Sequence, residues 1–448
     1  MCHFFLISFL ILYYVFRIKY ANCNGMNMKK TWFFIPTLYF AEGLPFVIVN
    51  VVSPVIYTKL GVAENIMSFY TGFLYLPWVL KMFWSPLLEN KSKRSWVLGT
   101  QLALSAVFVL IALSFQLNNY FLYSLIGFFT GAFISATYDI ATDGYYMLAL
   151  DKKEQAFFVG IRTFFYRLAM IFASGILVMI AGVIEERTGN IPLSWTAAMF
   201  IASGVFGLFF VFHIFILHKE RIEETVKNNT VFTNFFDSFK AYFTQKNIVI
   251  IICFILFYRL GEASFEKMIP PFLTSARELG GLGMSTKMYG FVKGTIGIIS
   301  LMAGNILGGI ALSKYGFKKC IWPFVIMLNV PTVFYVILAI FQPGALVTAA
   351  LLSFEQFGYG LGFMAFTVFI MNVSIASKYA TSHYAISTGI MGLGMMVPSM
   401  LSGSLKMALG YTNFFILACF LSIPSFLLIP FVLKIYKGLE GGALHNAD

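Results

Sequence analysis

Charge is what this sequence has least of. Asp, Glu, Lys and Arg make up 11% of its 448 residues, against about 25% in an ordinary soluble domain, and acids are the scarcer sign, 19 against 31 bases. With 59% hydrophobic residues, 52 Phe and a mean hydropathy of +0.82, the composition excludes a water-soluble fold, because lipid-facing surface absorbs apolar side chains that no soluble core of this size would hold. Cysteine is sparse too. Cys2, Cys23, Cys253, Cys320 and Cys419 are scattered, with no CxxC pair and no histidine at ligand spacing, so neither a disulfide framework nor a metal site is expected. The five histidines, His3, His213, His218, His383 and His445, lie in dissimilar segments. No Ser/His/Asp grouping, Gly-rich phosphate loop or Walker sequence occurs, which argues against an enzyme or an ATP-driven pump and leaves no catalytic residue or cofactor to assign. The net charge of +12 does not imply nucleic acid, since the bases sit in short clusters between apolar runs.

What is present is a series of apolar segments long enough to span a bilayer. They fall near 32–57, 67–88, 96–116, 120–149, 156–184 and 193–217, and again near 247–273, 288–312, 320–341, 345–375, 383–405 and 411–436. The expected architecture is all-α: twelve transmembrane helices in two six-helix, pseudo-symmetric halves. Residues 29–217 form the first half, 218–246 a cytoplasmic central loop, 247–437 the second half and 438–448 a cytoplasmic tail. The end of the central loop, 232–243, is weakly amphipathic and is expected along the membrane surface. Residues 1–28 form an N-terminal extension whose apolar stretch, 4–16, is short for a span and lacks a basic n-region or cleavage site. A weak signal anchor is one reading of it. Met26 or Met28 as the true start is the other, and the one favoured, because Lys29 and Lys30 directly precede an apolar helix. Loop bases test the count. Lys29, Lys30, Lys91, Lys93, Arg94, Lys152, Lys153, the central-loop bases, Lys314, Lys318, Lys319, Lys378, Lys434 and Lys437 fall on one side of a twelve-helix arrangement. Only Lys59, Arg187, Arg277, Lys287 and Lys406 fall on the other. The positive-inside rule then places both termini in the cytoplasm.

Ionisable groups inside the apolar segments are the functional signal, because each costs about 2.5–3.5 kcal/mol at the centre of a bilayer. Asp139 and Asp143, four residues apart in the fourth segment, share a helical face. Like charges so placed resist ionising together, which suits a carboxyl that takes up and releases a proton; a structural pairing with bases of the fifth segment is the alternative. That segment holds Arg162, Tyr166 and Arg167, anion anchors rather than proton carriers because arginine keeps its charge. Arg162 is also placed to snorkel to the interface. In the seventh segment Arg259, Glu262 and Glu266 form a stripe before Pro270 and Pro271, and in the first Glu42 stands beside Gly43 and Pro45. Both helices are therefore expected to be discontinuous and to line a cavity. Lys293 lies among glycines in the eighth segment, and Glu355 and Gln356 precede a small-residue run in the tenth, where a helix-end position is the alternative for Glu355. Glu42, Arg162, Tyr166, Arg167, Arg259, Lys293, Glu355 and Gln356 are the candidate solute-binding residues. Asp139, Asp143, Glu262 and Glu266 are the candidate proton-coupling residues.

Family resemblance sharpens this reading. Gly308, Gly309, Lys314, Gly316, Lys318 and Lys319, a Gly-rich helix end and a basic turn, resemble the conformational loop motif of major facilitator transporters, with a degenerate counterpart at 85–94. Either loop alone also fits an ordinary positive-inside turn. In the motif reading the bases latch onto acids or helix C-termini of the opposite half. The second segment's Leu76–Pro86 run and the fourth segment's Ala136–Gly144 run look like the peptide, acetyl-coenzyme A and drug transporter family. The Tyr258–Glu262 and Phe354–Gln356 stretches are similar to AmpG-type muropeptide permeases within it. Glu262 departs from that pattern, standing where those permeases carry Asp. The resemblance covers about 28–437. It implies the major facilitator fold and proton-driven import of anhydromuropeptides for cell-wall recycling across a bacterial inner membrane, with proton and solute handled near Asp139 and Asp143; a monomer is expected. An acetyl-coenzyme A or other anionic-solute carrier is the alternative within the family. A membrane-embedded enzyme or non-transporting sensor is the alternative outside it.

Overall fold

The computed structural model describes residues 26–88, 92–218, 237–375, 377 and 379–445. Residues 1–25 of the expected extension 1–28, residues 89–91 of the loop at 85–94, Lys378, residues 219–236 of the central loop and 446–448 of the tail lie outside the described residues. Among the described residues all regular structure is helical. The chain runs through α1 (Thr31–Lys59), the short pair α2 (Glu64–Phe73) and α3 (Leu76–Trp84), then α4 (Lys93–Ser114), α5 (Tyr120–Ala149), α6 (Phe157–Thr188) and α7 (Ile191–Ile216). After the central loop come α8 (Asp237–Thr244), α9 (Ile248–Phe257), α10 (Leu260–Phe265), α11 (Ile269–Thr274), α12 (Thr286–Tyr315), α13 (Phe317–Phe341), α14 (Ala345–Ile375), α15 (Ala380–Leu421) and α16 (Ile423–His445).

All twelve apolar segments read from the sequence fall in these helices, but they do not appear as twelve single rods. Nine helices among the described residues are long and apolar enough to cross a bilayer, or ten if the α8–α9 pair, bent by 91°, counts as one span. The second segment breaks between α2 and α3, the seventh is divided into α9, α10 and α11, and the last two join in one apolar run turned at Gly410, whose φ of 72° suits glycine. Outward faces carry Phe215, Leu346, Phe341 and Leu208, each 72% exposed or more. In water such a surface would aggregate; in lipid it is solvated.

Local chemistry sets the ends. Asn190 Oδ1 accepts the Leu193 amide at 2.9 Å and Ser285 Oγ the Met288 amide at 3.3 Å, capping α7 and α12, while Gly189, at φ 65°, closes α6. The expectation for α10 and α11 holds: backbone regularity fails at Glu266–Met268, and Pro270 lies in the first turn of the next helix. The expectation for α1 is corrected. The helix continues through Glu42, Gly43 and Pro45, and its irregularity is a π-turn at Ile48–Val52, where one wider turn absorbs the misfit of the proline without a break. Two more π-turns, Ile171–Leu177 in α6 and Gly290–Gly297 in α12, face each other. There Gly294 sits against the Ser174 backbone so closely that a Cβ would overlap its carbonyl. Arg94 donates to the Leu217 and Ile214 carbonyls at 2.8 and 2.7 Å. It thus holds the C-terminus of α7, a helix of the first set, where the motif reading expected a helix of the opposite half.

Candidate functional site

The broken and π-turned helices converge on a central cavity of about 410 Å³, within the range of roughly 300–1,000 Å³ usual for small-molecule sites. Five bases line it, Lys81, Arg167, Arg259, Lys267 and Lys293, against three acids, Glu262, Glu266 and Glu355. Two of the bases are neutralised locally. Arg259 Nε and Nη2 donate to Glu262 at 3.0 and 3.2 Å, and its guanidinium also donates to the Tyr359 hydroxyl at 2.6 Å. Lys293 Nζ lies 3.3 Å from Glu355 Oε2, which also accepts from the Tyr335 hydroxyl at 3.3 Å and from Gln356 Nε2 at 2.9 Å. Glu355 is therefore a mid-helix residue, 5% exposed, and not at a helix end.

The remaining bases differ. Lys267, 1% exposed, donates to the Asn50 carbonyl and lies 4.9 Å from the Tyr75 ring. Arg167 has no carboxylate within ion-pair distance among the described residues. Its Nη1 lies 3.1 Å from Met170 Sδ, and the Asn305 amide, oriented to donate to Gly360 O at 2.7 Å, accepts from Nη2 at 3.2 Å. A guanidinium held by a thioether and an amide keeps donors for an anion.

A second cluster adjoins the cavity on α1, α3, α5 and α6. Lys81 Nζ makes an ion pair with Asp139, while Arg162 Nη1 lies 3.1 Å from Asp143 Oδ1. Tyr39 Oη donates to Asp143 at 2.8 Å, and the Arg162 guanidinium rests over the Tyr39 and Tyr146 rings at 5.3 and 5.1 Å. Glu42 is 8% exposed, with its Oε2 unpartnered. It is placed there because Gly43 lets α1 lie against α6, where a Cβ would stand 2.9 Å from the Tyr166 carbonyl.

Tyr166, Arg167, Arg259, Glu262, Glu266, Lys293, Glu355 and Gln356 thus line the cavity. Glu42, Asp139, Asp143 and Arg162 form the neighbouring cluster. Asp143 pairs with the arginine of the following helix, the structural pairing given as the alternative, whereas Asp139 pairs with Lys81 of α3, which neither alternative named. Sequence reasoning did not single out Lys81, Lys267, Tyr39, Tyr75, Tyr335 or Tyr359. Lys267 carried the same signal as Lys293, a charge in an apolar run; the tyrosines carried none. His213, bonded to Gln101 and Thr37, is a satisfied core histidine. The loop-motif residues lie apart from both clusters. A Cβ at Gly308 would stand 3.3 Å from Met364, Gly316 at φ 78° separates α12 from α13, and Lys314, Lys318 and Lys319 are exposed.

One end of the bundle is tied by polar contacts between helices on either side of the central loop. Glu64 on α2 accepts from Lys406 Nζ at 2.7 Å and from the Tyr411 hydroxyl at 2.9 Å. Glu185 on α6 pairs with Lys59 at 2.8 Å and accepts from Thr286 at 2.5 Å, and Glu186 lies 3.7 Å from Lys287. Away from these ties, the Asp143 and Arg162 side chains are 46% and 33% exposed.

Comparisons with known proteins agree with this architecture. The family model described as Major Facilitator Superfamily matches residues 37–385. The chain is 23% identical over 406 residues to the anhydromuropeptide permease of Escherichia coli K12, covering 88% of this chain and 77% of that protein. It is 25% identical over 414 residues to the putative transporter AmpG 4 of Rickettsia felis, covering 88% and 94%. Among solved structures, a D-xylose-proton symporter superposes with a TM-score of 0.68 at 12% identity, over 88% of this chain and 95% of that one.

Proposed function

The chain belongs to the Major Facilitator Superfamily, and from that premise we propose that it imports anhydromuropeptides together with protons by alternating access. Membership makes it a multi-pass membrane transporter of small-molecule solutes and not an enzyme. The observation that carries the finer reading is Arg167, a cavity-lining guanidinium without a carboxylate partner among the described residues, in a cavity where, with Lys81 paired to Asp139 of the neighbouring cluster, four bases face three acids. A solute bearing carboxylates suits that excess. Relatives named for anhydromuropeptide and AmpG transport make the peptide-bearing sugar the leading anion.

In this mechanism Arg167, with Arg259, Lys293, Tyr166 and Gln356 about it, holds the solute. The cluster of Glu42, Asp139 and Asp143, next to the cavity and open to water at Asp143, holds the proton; Glu262 and Glu266 tune the cavity's charge. The six-helix sets 29–217 and 247–437 rock about the site. The state described has the Glu64, Glu185 and Glu186 end closed, and the scarcity of loop bases at that end supports reading it as periplasmic, with both termini on the cytoplasmic side of a bacterial inner membrane. In this reading each chain carries its own complete cavity and acts as a monomer.

The test is uptake of labelled N-acetylglucosaminyl-anhydro-N-acetylmuramyl peptide into proteoliposomes, with and without an inward proton gradient and with acetyl-coenzyme A as competitor. Gradient-stimulated uptake that acetyl-coenzyme A leaves intact is expected. Uptake of the coenzyme alone would move the function to the other anion, and transport of neither by folded protein would remove the anion reading.

A further inference from the structure

Among the described residues Glu42 makes no ion pair. Its Oε2 is buried without a hydrogen-bond partner, and it stands level with Asp139, because Tyr39, one turn before Glu42 on α1, donates to Asp143, one turn after Asp139 on the packed helix α5. Asp139 is also held by Lys81 and Asp143 by Arg162 and Tyr39. The groups that face Glu42 and Asp139 are Lys81, Asp143, Tyr39, Tyr138 and Tyr166, with Arg162 behind Asp143. Three carboxyls therefore share two bases, and the charge left over falls on Glu42, the most buried of the three at 8% exposed. Two carboxylates can only accept hydrogen bonds, so neighbours of this kind keep each other's company when one proton lies between them. Lys81 has a second property: it lines the cavity as well as pairing with Asp139. Its four-carbon stem lets one ammonium serve either side.

We propose that Glu42 and Asp139 hold the transported proton as a shared carboxyl–carboxylate pair, and that Lys81 couples it to the anionic solute by exchanging Asp139 for a solute carboxylate. The inference rests on the proton-coupled anion reading above and deepens it. The only covalent change is one O–H bond, formed when a Glu42 carboxylate takes a proton from water and broken when it returns one. While solute holds Lys81, the pair lacks its ammonium and the proton stays. When the solute leaves, Lys81 returns to Asp139, neutralises it, and allows the proton to depart. The reciprocity required of any coupling follows, since whatever fills one site favours the other.

The test uses the full chain in detergent micelles and reads the infrared carbonyl stretch of protonated carboxyl across a pH titration. Glu42→Gln and Asp139→Asn are each expected to abolish one titrating band that Glu154→Gln, a surface change, leaves in place. Either variant removes the pair, so one of the two folding suffices. A band that survives in the folded variants overturns the shared proton. A pH-indicator dye then follows proton uptake on adding the anhydromuropeptide in weak buffer. Lys81→Gln is expected to lose this solute-induced uptake while keeping the carboxyl band; full uptake in Lys81→Gln overturns the coupling role. The two readings fail separately. Loss of the band in Glu42→Gln with no solute-induced uptake in the parent removes the muropeptide reading and the role of Lys81, and leaves the shared proton. Gradient-driven uptake with a band indifferent to Glu42 and Asp139 does the reverse.

Discussion

Replacing Lys406 by Ala is expected to open the closed end of the bundle. Lys406 on α15 meets Glu64 on α2 at 2.7 Å, its ammonium lies 3.9 Å from the centre of the Tyr411 ring, and the two charged side chains are only 15% and 21% exposed. A pair so sheltered exceeds an exposed surface bridge, whose median is about 0–1 kcal/mol. As a charge-assisted hydrogen bond it contributes about 1.5–3 kcal/mol. The Lys406–Glu64 contact exists only while α2 and α15 touch, so its loss shifts the closed-to-open ratio by roughly 10- to 150-fold. Ser68 offers the reporter. It is fully buried at the same contact, accepting the Gly403 amide at 3.0 Å, so a cysteine there meets a maleimide only when this end parts. In a Ser68→Cys background, the labelling rate of solubilised protein should rise by at least tenfold when Lys406→Ala is added. A rate unchanged within twofold would refute the argument that this pair governs the opening.

Glu355→Gln should leave Lys293 buried without its counter-charge and destabilise the protein by about 3–5 kcal/mol, read as a fall in thermal unfolding temperature in detergent, with most of the loss recovered in the Lys293→Gln/Glu355→Gln double variant. Arg167→Gln should weaken binding of the carboxylate-bearing solute by at least tenfold, about 1.4 kcal/mol or more, while Arg167→Lys retains part of it; equal affinity in both by calorimetry would remove Arg167 from the site. Gly294→Val should force α6 and α12 apart at their facing π-turns, because its side chain would overlap the Ser174 backbone, and size-exclusion chromatography should show loss of monodisperse protein.

The helical architecture was legible because a bilayer leaves the chain little choice: every spanning segment must be long and apolar. The site was legible for the same reason, since a charge in such a segment stands out. Arg259, Glu262, Lys293 and Glu355 could be picked from single runs. That Lys293 would meet Glu355, 62 residues away, could not, because partner choice is set by how two helices face each other and no spacing within one helix encodes it. Lys81 was passed over for a related reason. It sits three residues before the end of α3, close to the basic cluster at 91–94, and read alone it resembles another interfacial lysine; only the ion pair with Asp139 on α5 reveals it as an interior charge. The break expected at Glu42–Pro45 failed differently. Proline costs a helix one backbone donor, but a buried helix can recover through a wider turn further on, and sequence fixes the presence of the misfit without fixing where it is absorbed.

The arrangement of charge suggests why a transporter would keep so many ionisable groups in one interior. The cavity carries bases in excess, and the cluster beside it carries acids in excess. Merged, the two sites would neutralise each other and bind neither an anion nor a proton. Held apart by the packing of α1 against α6, they each retain one unmet demand, and Lys81 is the cavity-lining base that reaches both. An isolated anion site would fill with whatever anion was abundant, and an isolated carboxyl would leak protons. Joining them through one movable ammonium makes each ligand's binding depend on the other, which is the property that lets a gradient of one drive the accumulation of the other.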